Sequence, residues 1–135
     1  MNNLINVWIY KNGFNPSKKE FFYNNQATPV FTGKSLIVTS LDKFIISLDP
    51  ENGKERWRVK IDSPGPIARR GIIFNNENIF VPTADGVHVI SEKNGTHNAD
   101  FGMNGIIGVN EKIISLVPPI ISKNNIFIIY KSFLT

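Results

Sequence analysis

Two histidines, His88 and His97, and three oxygen-bearing residues, Ser40, Asp42 and Asp85, are the side chains in this sequence most able to do chemistry. A histidine pair can hold a transition metal, and serine, histidine and aspartate together can build a nucleophile with its base. The spacing supports neither use. The histidines stand nine residues apart with no third ligand at a matching distance, and Ser40, Asp42 and Asp85 form no nucleophile constellation. His88 lies in an alternating strand-like stretch and His97 in a polar turn, so both read as structural residues. The absence of cysteine removes disulfides, thiolate metal sites and cysteine nucleophiles together. A net charge of +4 comes from scattered basic residues, clustered only at Lys18-Lys19 and Arg69-Arg70. With no basic stripe and no aromatic interleaving, that surplus reads as solvated surface and not as a nucleic-acid interface.

The elements that must position these residues are organised around Ser47-Leu48-Asp49-Pro50-Glu51-Asn52-Gly53-Lys54-Glu55-Arg56-Trp57. Phe44 to Leu48 is rich in residues that suit a pleated, half-buried surface. Asp49, Pro50, Asn52 and Gly53 supply turn chemistry, and Trp57 returns as a large packing anchor. A lone hairpin is marginal in water, so the unit must recur. It does: the turn glycine Gly53 is matched 42 residues later by Gly95, and Asn78-Ile79-Phe80-Val81 is echoed by Asn125-Ile126-Phe127-Ile128. Trp8 in Val7-Trp8-Ile9-Tyr10 foreshadows Trp57 at the other end. A period of roughly 40–50 residues with about four short strands per unit is the signature of a β-propeller blade.

The predicted organisation is all-β, without sustained helical periodicity. Residues 1–25 are the end of one blade and a loop, 26–62 a first full blade, 63–117 a second blade with an insertion, and 118–135 the start of a third. Strands are predicted at 36–40, 44–48 and 56–61, with innermost strands near Pro29 and at 72–74 and a single strand over 125–130. Asp85-Gly86 between apolar runs predicts a type I′ hairpin turn. Alignment on the turn glycines puts Ala99 where Trp57 stands, with Asp100 to Gly105 inserted after it. A propeller closes with ~4–8 blades. Two and a fraction therefore read as a fragment, completed by further blades or by self-association. No secretory signal is visible at the start, and the apolar region from 105 to 121 is too interrupted to span a membrane.

Those residues resemble the PQQ-dependent quinoprotein dehydrogenases, whose eight-bladed propeller repeats an Ala-x-Asp-x-x-Thr-Gly-x-x-x-Trp docking motif. Ser47 to Trp57 matches it with Ser for Ala and Asn for Thr. Gln26-Ala27-Thr28-Pro29-Val30 is similar to the segment before the family's first full blade. Arg70-Gly71-Ile72-Ile73-Phe74 is similar to its Arg-Gly-x-x-Tyr segment, and Asp100 to Gly105 to its Phe-Gly-x-x-Gly segment. Pro118-Pro119 fits its paired prolines. The matches run in family order over nearly the whole chain.

The resemblance implies PQQ as cofactor, with Arg70 and Gln26 on the cofactor side. PQQ is a planar tricarboxylate with an ortho-quinone, and a guanidinium fork suits its carboxylate or quinone oxygens. The plain alternatives are a surface arginine at a loop end and a polar residue closing a loop. A Ca2+ or Mg2+ ion is implied as well, with its ligands and the catalytic aspartate on later blades, so no catalytic or metal residue is assigned to this chain. The missing cysteine pair tilts the resemblance toward the branch acting on sugars, polyols or cyclic acids such as quinate. Asn75 stands where that branch commonly has a histidine. The implied function is a fragment of a dehydrogenase that passes electrons to a quinone, periplasmic or membrane-associated, and inactive alone. Two alternatives stand beside it: a noncatalytic propeller serving as an envelope scaffold, and a degenerate gene remnant.

Overall fold

The computed structural model describes residues 4–13, 27–65, 67, 70–108, 113–115 and 118–132. Four strands, β1 (Val30–Phe31), β2 (Leu36–Thr39), β3 (Phe44–Leu48) and β4 (Glu55–Lys60), form an antiparallel sheet in sequence order. A second four-stranded sheet repeats the pattern with β5 (Ile73–Asn75), β6 (Asn78–Thr83), β7 (Gly86–Ser91) and β8 (Ile106–Gly108). After it come β9 (Ile113–Ser115), β10 (Ile120–Ser122), β11 (Asn125–Phe127) and β12 (Tyr130–Ser132). β10 pairs with β11 and β12 with β9. No helix occurs among the described residues. The all-β expectation holds, and the sheets are consecutive blades of a partial propeller.

Local chemistry explains the β3–β4 turn. The Asp49 carboxylate accepts from the Glu51 amide and the Asn52 side chain from the Lys54 amide, both at 2.8 Å, while Gly53 takes φ +70°. These are Asx contacts of the kind that reverse a chain in few residues. The β7–β8 side repeats the geometry, with the Gly95 amide donating to Ser91 O at 2.9 Å and φ +73° at Gly95.

Three sequence expectations need correction. The type I′ geometry is not at Asp85-Gly86, because neither Ala84 nor Asp85 has positive φ; it is at Asn76-Glu77, with φ +45° and +64°. Gly86 is needed for another reason: a β-carbon there would meet Ile107 O at 2.1 Å, so β8 can close on β7 only over a glycine. The predicted strand over 125–130 is broken after Phe127, because β11 pairs with β10 while β12 leaves for β9. The innermost strand of the second sheet is 73–75, one residue later than predicted.

Alternation along each strand sends side chains to two faces and builds two core layers. Between the first and second sheets lie Ile37, Ile45, Ile61, Ile72, Ile79, Val81 and Ile90, closed by half-buried Trp57, Val59 and Phe74. On the far face of the second sheet Phe80, Val87 and Val89 pack with Phe101, Ile107, Ile121 and Ile126. The second sheet is thus buried on both faces, which is why β6 and β7 read as near-continuous apolar runs.

Tryptophan docking locks neighbouring units together. Trp57 Nε1 donates to Glu92 O at 2.9 Å, with its ring against Gly95. Trp8 repeats this one unit earlier, donating to Pro50 O at 3.0 Å with its ring against Gly53. A polar tie accompanies the Trp8 contact: Arg58 donates to the Tyr10 hydroxyl at 3.0 Å, which donates to Glu55 at 2.9 Å.

Candidate functional site

The antiparallel register sorts the turns to two ends of the sheets. The β3–β4 and β7–β8 turns, with their docked tryptophans, mark one end. At the other lie the β2–β3 and β6–β7 turns and the segments leading into β1 and β5. Each turn at this second end is tied by a hydroxyl and a carboxylate: Ser40 donates to Asp42 in the first sheet, and Thr83 to Asp85 in the second. Ser40, Asp42 and Asp85 are thus held in structural ties. The linker between the sheets is fixed there too. Lys43 Nζ donates to Ser63 O at 2.8 Å, and a β-carbon on Gly65 would sit 3.2 Å from that of Ala84.

Arg70 stands at this end, exposed in the turn before β5. Its neighbour Gly71 has φ +113°, and a β-carbon there would lie 3.7 Å from Ala27 Cβ and from the Thr28 amide nitrogen. The segments leading into β1 and β5 are therefore side by side, and Arg70 is one residue from their contact. Gln26 precedes Ala27 in the chain but lies outside the described residues. The donor chemistry fits an anionic planar cofactor: an exposed guanidinium carries a fork of N–H groups, next to a glycine whose bare backbone permits close approach. Asn75 ends β5 at the opposite end of that strand, next to the Asn76-Glu77 turn, so it is not beside Arg70. Among the described residues no group of three or more His, Cys, Asp or Glu side chains is placed to hold a metal ion.

The two histidines, separate in the sequence and nine residues apart, meet in the structure. His88, 1% exposed on β7, places Nε2 at 3.1 Å from Asp85 Oδ1 and Nδ1 at 3.0 Å from His97 Nε2. His97 is not in a free polar turn, because it bridges to Ile90 as the chain returns beside β7. An ionised Asp85 can only accept, so His88 carries its proton on Nε2. In the neutral pair, His88 Nδ1 accepts and His97 Nε2–H donates. Burial alone would raise the Asp85 carboxyl, but hydrogen bonds from Thr83 and His88, with the imidazole charge, hold it below its usual range. His97 is pushed below its usual value by burial first, and then by the charge on His88. The local signal was the Asp85–His88 spacing across a tight turn; nothing local announces His97.

The family model described as glucose/ethanol/alcohol dehydrogenase, beta-propeller domain, matches residues 1–133. A curated relative, quinoprotein glucose dehydrogenase A from Acinetobacter calcoaceticus, is 28% identical over an alignment of 115 residues, which takes in 64% of this chain and 14% of the relative. The chain thus spans about one seventh of the length of that relative. Its family-model match over nearly the whole chain, carried on tryptophan-docked four-stranded sheets, shows that the chain belongs to the PQQ-dependent quinoprotein dehydrogenase family, as part of its β-propeller domain.

Proposed function

We propose that this chain forms the part of a quinoprotein dehydrogenase propeller that presents Arg70 to PQQ, in an enzyme oxidising a sugar, a polyol or a cyclic hydroxy acid. The observation that supports it is the contact of Gly71 with Ala27, which sets Arg70 where two blades meet. PQQ, when bound, supplies the two-electron acceptor for the alcohol carbon. The chain's own part is binding and orientation. The Arg70 guanidinium would donate a forked pair of hydrogen bonds to a carboxylate or quinone oxygen, and Gln26, next to Ala27 in the sequence, would add an amide. The tryptophan joints keep the two blade edges in fixed relation, which would hold that arginine in place for the cofactor.

A Ca2+ or Mg2+ ion bound by residues of further blades would polarise the reacting carbonyl, and a quinone would accept the electrons. The reading places the enzyme at the periplasmic side or the membrane; no helix of the described residues is long and apolar enough to cross one. The relative's printed name, a quinoprotein glucose dehydrogenase, supports the sugar end of the substrate range.

The test is a titration of the PQQ absorbance with this chain. Arg70→Ala is expected to weaken binding at least about tenfold, as loss of a charge-assisted fork would. Lys54→Ala, in the turn at the opposite end, should leave binding unchanged. Equal affinity of the parent chain and Arg70→Ala would overturn the assignment.

A further inference from the structure

The chain of side chains Asp85, His88 and His97, buried at His88 and half-buried at its two ends, has no part in that proposed site, and its geometry has a consequence of its own. We propose that the His88–His97 contact is an acid-released latch on the chain excursion between Asn98 and Gly105. His97 sits at the neck of that excursion. The Asn98 amide donates to Val89 O at 2.9 Å and the Val89 amide to Gly105 O at 2.8 Å, so both limbs of the excursion hang on the same residue of β7. A β-carbon on Gly105 would come within 2.8 Å of His97 Cβ, so the returning limb passes close against the histidine. At its far side the excursion carries Phe101, whose ring meets Phe80 edge to face at 5.7 Å. Together they line a cleft of 530 Å3 with Ile107, Ile121 and Ile126.

Proton counting makes the latch pH-sensitive. Asp85 holds a proton on His88 Nε2, and the 3.0 Å contact holds one proton between His88 Nδ1 and His97 Nε2. A first added proton is tolerated, because either ring can carry it while one N–H still faces one lone pair. A second puts N–H against N–H between two imidazolium rings, and the contact must open. Nothing packed against the pair compensates. Asp85 lies on the far nitrogen of His88, β6 faces it with Val81, β8 with Ile106, and β7 gives Ile90 opposite His97. Among the described residues no other charged side chain hydrogen-bonds or ion-pairs with either ring. The first sheet has isoleucine, Ile46, at the position matching His88 when the turn glycines are aligned, so the latch is particular to the second blade.

Hydrogen exchange of the full chain, read by mass spectrometry and normalised for intrinsic rates, tests this at pH 7.5 and pH 5.0. Peptides over 96–107 are expected to lose protection at least tenfold at the lower pH, while peptides over 36–48 keep theirs. His97→Gln, whose amide donates to His88 Nδ1 without titrating, should keep 96–107 protected at both pH values. Unchanged protection in the parent chain, equal loss in both regions, or the same loss in His97→Gln would overturn the latch. A long-range proton–nitrogen correlation on the parent chain gives a second reading: a His88 Nε2 without a proton at pH 7.5 would contradict the hydrogen-bond order on which it rests.

Discussion

Trp57 lies against Gly95 so closely that a β-carbon on the glycine would come within 2.6 Å of the indole ring. The same 2.6 Å relation joins Trp8 to Gly53. One turn chemistry thus serves two ends: positive φ reverses the chain, and the missing side chain makes the seat for the preceding unit's indole.

Gly95→Ala should therefore cost more than an ordinary turn substitution. The left-handed conformation adds ~1–2 kcal/mol and overpacking against the indole a further ~1–3 kcal/mol. Gly13→Ala, also at positive φ but with nothing within 4 Å, should lose only the conformational part. Urea midpoints of the two variants separate the terms.

Trp57→Ala removes a half-buried anchor, and the loss should fall near the lower end of the aromatic-to-alanine range, about 3 kcal/mol. Trp57→Phe keeps much of the packing but not the hydrogen bond to Glu92 O, and should lose about 1 kcal/mol. A Trp57→Phe variant as unstable as Trp57→Ala would assign the joint to the hydrogen bond and not to ring packing.

Ser47 has a fully buried hydroxyl with no hydrogen-bond partner among the described residues, at the position where the docking motif carries alanine. An orphaned buried polar group costs ~1–3 kcal/mol. Ser47→Ala should raise the urea midpoint, by about 1 kcal/mol in stability; a lower midpoint would mean the hydroxyl is satisfied.

Stability should fall on acidification in two windows. His97 is held below its usual 6.5 in the folded chain, so its contribution is complete above that value and is lost as pH falls through the lowered one. Asp85 is lowered from 3.8, so its contribution disappears only in stronger acid. Urea midpoints from pH 8 to pH 3 measure both, and His97→Gln should flatten the upper window alone.

Leu4, Ile5, Val7 and Ile9 are 71–101% exposed beside the docked Trp8. An apolar segment this open invites pairing with another chain. Size exclusion should show concentration-dependent association, reduced by Val7→Lys with Ile9→Lys.

What could be read in the sequence was what short-range chemistry decides. Asp49, Asn52 and Gly53 make a turn by contacts within a few residues, and the repeat of that turn at Gly95 carried the architecture. The type I′ geometry was misplaced because Asn76-Glu77 lacks the glycine that usually announces it, while Gly86 owes its identity to β8 and not to the turn. His97 meets His88 only because the returning chain settles beside β7 before the excursion begins. That is a tertiary fact with no local pattern. Arg70 stands out in the sequence only through the family resemblance, and the close approach of its neighbour Gly71 to Ala27 only in the packing.

The claim on which the rest depends is that consecutive blades are joined by an indole seated on the next unit's turn glycine. The direct measurement is the proton chemical shift of Gly95 Hα in this chain and in Trp57→Leu. A docked ring predicts a strongly upfield Gly95 Hα that returns to an ordinary glycine value in Trp57→Leu, with Gly53 Hα, under Trp8, unmoved. An ordinary Gly95 shift in the parent chain would contradict the joint, and with it the fixed relation of the blades that brings Gly71 close to Ala27.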